Sequence, residues 1–132
     1  NERDVYYHVR GIFVDSKDNL WIGNNGIGVL HYDGEKTTKF SEQNGLSDLA
    51  SKAFPRHVFS VTEARQGGIW IGDRDTGAWC YDGTTLKNYT MKDGLPNQFV
   101  RVIYTDKKGD LWCGLEAGKV CKFNGKSFDV MF

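Results

Sequence analysis

The sequence predicts an all-β protein built from three four-stranded antiparallel meanders, and three observations predict it. A Trp-centred block returns three times along the chain. Inside each block the apolar residues alternate with period two, the spacing of a pleated strand rather than a helix. The 132 residues also contain 8 Phe, 6 Tyr, 4 Trp and 16 Gly against only 2 Pro, a mixture suited to short strands and tight turns.

The repeat is explicit. Asn19-Leu20-Trp21-Ile22-Gly23, Gly68-Ile69-Trp70-Ile71-Gly72 and Asp110-Leu111-Trp112-Cys113-Gly114 place their Trp residues 49 and then 42 positions apart. Tyr32-Asp33-Gly34, Tyr81-Asp82-Gly83 and Phe123-Asn124-Gly125 each follow their Trp by eleven residues. Val9, Val58 and Val100 each precede it by twelve, so the block is of fixed length and the seven extra residues fall between Leu46 and Val58. The repeats divide the chain at about 1–46, 47–95 and 96–132.

Four strands are read in each repeat. The first covers Val9 to Val14, Val58 to Thr62 and Val100 to Thr105; the second carries the Trp. The third runs from Val29 to Tyr32, Ala78 to Tyr81 and Val120 to Phe123, and the fourth from Thr37 to Ser41, Leu86 to Thr90 and Phe128 to Phe132. Polar segments such as Asp15 to Asn19 and Asp106 to Asp110 join the first two strands, with Asp side chains placed to bond local backbone. Asx-Gly pairs join the last two, because they accept the positive φ of hairpin turns. A small sheet with apolar residues on both faces must be sandwiched between neighbours, so the meanders read as blades of a β-propeller.

The string from Val100 to Gly114, preceded by Asp93-Gly94-Leu95-Pro96-Asn97 and followed by an Asx-Gly turn, resembles the two-component regulator propeller repeat. The resemblance extends over nearly the whole chain in three copies. It implies a propeller in the extracytoplasmic, periplasmic sensor region of a bacterial hybrid two-component system, a family linked to sensing glycan fragments. The sequence departs from the repeat at Cys113, where Ile is usual, and in the longer second copy.

Three blades do not close a ring, since propellers use about four to eight. The start at a repeat boundary without an initiating Met points to a segment of a longer chain whose further blades complete the ring. Two copies giving six blades is the other arrangement.

Strand order places the connections between second and third strands on the same side as those entering the first strand. That side collects Asn24, Asn25, Asp73, Arg74, Asp75 and Glu116, together with Tyr6, Tyr7, His8, Arg56, His57, Asn97, Gln98 and Phe99. His8 and His57 are repeat equivalents, as are Arg10 and Arg101. With the first strand innermost, Arg10, His57, Arg101, His8, Asn25, Arg74 and Glu116 form the candidate ligand site at the channel mouth. Forked guanidinium donors and planar side chains suit a small polar ligand, an oligosaccharide or a small acid.

Other features read as structural. The three aligned Trp residues and Trp79 are expected to pack the blades. The two His residues lack a third ligand at metal spacing, and Asp73 to Asp75 lacks the further oxygens of a calcium loop and reads as solvated. Cys113 and Cys121 are placed as cross-strand neighbours, free or disulfide-bonded. Seventeen basic and seventeen acidic residues give zero net charge, without bias towards nucleic acid or anionic lipid, and no apolar run approaches the ~20 residues of a membrane span. No nucleophile elbow, phosphate-binding loop or metalloprotease signature is present, so a non-enzymatic module without a cofactor is expected. The alternative is a scaffold that mediates protein contacts or dimerisation without a small-molecule ligand.

Overall fold

The computed structural model describes residues 8–40 and 54–132. They form twelve strands in three separate four-stranded antiparallel sheets, each ordered as in the sequence. The first blade comprises β1 (His8–Val14), β2 (Leu20–Asn25), β3 (Gly28–Tyr32) and β4 (Thr37–Lys39). The second comprises β5 (Val58–Glu63), β6 (Ile69–Asp73), β7 (Gly77–Tyr81) and β8 (Leu86–Tyr89). The third comprises β9 (Val100–Thr105), β10 (Leu111–Leu115), β11 (Val120–Phe123) and β12 (Phe128–Val130). The fourth strands are shorter than the sequence predicts. In the second blade the capping box of Thr90 and Asp93 ends β8 in a single 3₁₀ turn over Met91–Asp93. Ser41, the expected end of β4, and most of the longer segment between the first two repeats lie outside the described residues.

The hairpin turns follow from the Asx residues. The Oδ1 atoms of Asp33, Asp82 and Asn124 accept the backbone N–H groups two and three residues on, while Gly34, Gly83 and Gly125 take φ of 100°, 105° and 99°. At the other turns Asp15 and Asp106 do more than bond local backbone. Asp15 accepts from Lys17 N, Asn19 N and Trp21 Nε1 at 2.9, 2.9 and 2.8 Å, and Asp106 repeats the pattern on Lys108, Asp110 and Trp112. One carboxylate therefore fixes both the turn and the orientation of the indole.

Two cores form between blades. Trp21, Val29 and Phe40 pack against Val58, Ile71, Trp79 and Tyr81; Trp70, Ala78 and Tyr89 pack against Val100, Ile103, Cys113 and Phe128. The Gly of each Trp-x-Gly unit explains the close approach. A Cβ on Gly23 would lie 2.9 Å from Val58 Cγ1, and one on Gly72 would lie 2.7 Å from Val100 Cγ1. Cys113 and Cys121 stand opposite each other in register, and both are free and buried.

The outer faces of the first and third blades are open. Val58 and Val100 are fully buried, whereas their equivalent Val9 is 59% exposed; Val61 and Ile103 are buried, whereas Ile12 is exposed. On the far side, Val102 and Tyr104 are exposed. Trp112 on that side is only half-buried. Among the described residues no helix is long and apolar enough to cross a membrane.

Candidate functional site

Each first strand carries one β-bulge, at the same place in every repeat. The register skips from Val9 to Gly11, from Val58 to Ser60 and from Val100 to Val102, leaving Arg10, Phe59 and Arg101 as the unpaired residues. A bulge re-aims a side chain that the ladder would otherwise constrain. Here three equivalent bulges bring their side chains into a row. The Arg10 and Arg101 guanidiniums lie 5.1 and 5.9 Å from the Phe59 ring centre, one from the first blade and one from the third. Phe99 extends the row, 5.2 Å edge-on to Phe59 and 4.6 Å from the Arg101 guanidinium. Guanidiniums over aromatic faces gain cation–π attraction and keep their N–H edges free for other acceptors.

One such edge is occupied. Arg101 Nε donates to Glu116 Oε1 at 2.9 Å, with both side chains about half exposed. The bond holds the Glu116 carboxyl below the usual carboxylate range and raises Arg101 further. A pair this exposed contributes little to stability, so the contact is easily exchanged.

A second cluster lies where the first and second blades meet. Asn25 forms a bridge with His57, and its Oδ1 lies 2.8 Å from His57 Nδ1. His57 Nε2 lies 3.9 Å from Asp75 Oδ2, while Arg74 donates from Nε and Nη2 to the two oxygens of Asp75 at 3.0 Å each. The Arg74 bond, set against partial burial, keeps the Asp75 carboxyl below its ordinary range.

Of the seven predicted site residues, Arg10, Arg101 and Glu116 join the bulge row, and Asn25, His57 and Arg74 join the second cluster. His8 stands opposite Asn25 in the β1–β2 register but is exposed and makes no side-chain bond among the described residues. Tyr6 and Tyr7 lie outside the described residues. Phe59 is the member of the row that the sequence reading missed. The 49-residue offset that relates His8 to His57 also relates Arg10 to Phe59, so the signal was present.

Asp73 corrects the expectation of a solvated loop. It is 1% exposed and accepts from His57 N, Asp75 N, Thr76 N and Thr76 Oγ1, so it builds the β6–β7 turn and positions Arg74. Trp79 is core, as expected, with its Nε1 donating to Thr76 Oγ1. No group of three or more potential metal ligands occurs among the described residues.

Comparison with known proteins bears on the repeat and the fold. Residues 5–26 and 94–117 match the family profile of the two component regulator propeller, spanning the inner-strand and Trp blocks of the first and third repeats. Two of the three repeats thus match that profile. No curated protein matches its sequence. Among solved structures, it is similar to the extracellular domain of a B. thetaiotaomicron hybrid two component system, with TM-score 0.70 and 22% identity, over 93% of this chain and 16% of that one. The extracellular domain of a one component system from the same organism gives 0.74 and 20%, over 95% and 18%. Virginiamycin B lyase from Staphylococcus aureus gives 0.69 and 16%, over 92% and 40%. At these identities the similarity establishes the propeller fold, and the chain spans less than a fifth of the length of the first two structures.

Proposed function

We propose that this chain is a segment of an extracytoplasmic, periplasmic sensor of a two-component system, binding a glycan fragment or similar small polar ligand at the channel mouth without catalysis. The observation that carries the reading is the row of Arg10, Phe59 and Arg101 on three equivalent bulges. A planar ring flanked by two forked cations offers a stacking surface for a sugar and donors for hydroxyls or a carboxylate. A ligand carboxylate exchanges with Glu116 on Arg101, at little cost because that pair is half exposed. Because the row takes one residue from each blade, occupancy couples directly to how the blades pack. That coupling is a route from ligand to signal.

The same reading requires a completed ring, by further blades or by a second copy. The open faces support both, since each lacks the partner its sister blades have. In a two-copy ring, Gly114 of one copy takes up Val9 of the other, as Gly72 takes up Val100. Calorimetric titration of neutral and uronate-containing oligosaccharides is expected to find one that binds saturably and weakens at least tenfold in Arg101→Ala. If no oligosaccharide in the panel binds, or if Arg101→Ala binds as well as the parent, the reading is wrong.

The open faces also favour a second reading, a scaffold that works by blade-to-blade docking alone. It predicts a stable assembly by light scattering with no oligosaccharide binding.

A further inference from the structure

The side of the blades away from the channel mouth holds two clefts at equivalent places, and they differ at one position. The cleft between the first and second blades, about 440 Å³, is lined by Asp15, Trp21, His31, Glu63 and Tyr81 among others. In it the Trp21 indole N–H is already taken by Asp15. The cleft between the second and third blades is larger, about 720 Å³, and is lined by Ala64, Gln66, Trp70, Lys122, Phe123 and Asn124 among others. Ala64 stands where Asp15 and Asp106 stand in the sister repeats.

The turn around Ala64 keeps the hydrogen-bonded shape of the other two. Ala64 N donates to Gly68 O and Gly67 N to Ala64 O, as Asp106 N donates to Asp110 O and Gly109 N to Asp106 O. The donors that the aspartate would satisfy therefore remain in place without it. Trp70, 4% exposed, has no acceptor for its indole N–H among the described residues, and neither have the backbone N–H groups of Gln66 and Gly68. These donors open on the cleft rather than being sealed in the core, since Gln66 is exposed and the buried side-chain polar atom without a partner among the described residues is His31 Nε2, so an acceptor supplied from outside can reach them.

We propose that the cleft between the second and third blades binds a small hydroxylated carboxylate, whose carboxylate takes the place of the missing aspartate and accepts from Trp70 Nε1 and the Gln66 and Gly68 N–H groups. The surroundings suit the rest of such a molecule. Phe123 packs 4.9 Å edge-on to Trp70 and gives the cleft an aromatic wall. Polar groups line the remainder: Lys122 Nζ lies 3.3 Å from Asp110, and Asn124 Nδ2 donates to Asp129, so both carboxylates in the cleft are partnered and their repulsion is reduced. Hydroxyls find acceptors there and at Gln66. This site stands apart from the channel mouth and does not depend on it.

The test is a titration of the ¹⁵N-labelled chain, reading the indole N–H signal of Trp70 at constant ionic strength. D-glucuronate is expected to move that signal saturably, acetate more weakly, and D-glucose and added chloride not at all. Ala64→Asp supplies the acceptor internally. It should shift the Trp70 indole signal in the absence of ligand and reduce glucuronate affinity at least tenfold, without altering the effect of Arg101→Ala at the mouth. Ala64→Asn, which offers a neutral acceptor of the same shape, should weaken binding likewise and serves if the aspartate variant fails to fold. The proposal is overturned if neither carboxylate moves the Trp70 signal, if chloride or glucose moves it equally, or if the filled variants bind as the parent does.

Discussion

Gly72→Ala and Gly114→Ala make the same chemical change at equivalent repeat positions and should have opposite consequences. A Cβ on Gly72 would lie 2.7 Å from Val100 Cγ1 and 3.3 Å from both the Val100 Cβ and its carbonyl oxygen. Val100 is fully buried and β-branched, so it has no rotamer into which to retreat. Overpacking of this kind costs about 1–3 kcal/mol. For a chain of this length that is a fall in Tm of roughly 4–12 °C. At Gly114 the nearest atom to a new Cβ is Val102 Cβ at 3.7 Å, an ordinary contact. With the strain absent, alanine restricts the unfolded chain and adds up to about 1 kcal/mol of stability. The comparison is made by thermal and urea unfolding, followed by tryptophan fluorescence, at a concentration where light scattering shows a monomer. Equal losses in the two variants would refute the claim that the third blade's outer face is open. Where scattering shows a dimer closed through that face, Gly114→Ala should instead halve the mass.

Three further outcomes follow from the packing and the turns. Asp15→Ala strips an acceptor from a buried indole and two backbone donors, and should cost about 2 kcal/mol in urea unfolding; a loss below about 0.5 kcal/mol would contradict the role assigned to it. Burial alone would raise the Asp15 carboxyl, but the bonds from Trp21, Asn19 and Lys17 outweigh it and lower its folded-state pKa, so its contribution is complete above the ordinary carboxylate range and disappears as pH falls through the folded value. Acid titration of wild type against Asp15→Ala should therefore show the two stability curves converging at low pH. Burial pushes the Cys80 thiol up to about 11 and raises Cys113 and Cys121 as well, so a disulfide reagent at pH 8 should label the native protein slowly and all three cysteines after unfolding.

The blades were legible because their signals are local and repeated: the Trp block, the Asx-Gly turns and the fixed spacing from Val9 to Tyr32 recur in full. The register followed from these, down to the facing of Cys113 and Cys121. What escaped was whatever depends on comparing unlike residues at one position. Phe59 shares nothing chemical with Arg10 and Arg101, so a search for matching types passed over it, although the bulge treats all three alike. Ala64 was silent for the same reason, since its meaning lies in the carboxylate it lacks. Asp73 sat in a charged run that reads as solvated, and its burial arises only when His57, from another strand, donates to it.

If the bulge row is a recognition surface, titrating one uronate-containing oligosaccharide series into the parent chain, Arg10→Ala and Arg101→Ala will reveal it. Saturable binding to the parent is expected, falling at least tenfold in each variant while Tm stays within a few degrees. Binding that is absent throughout, or equal in all three proteins, would contradict that role.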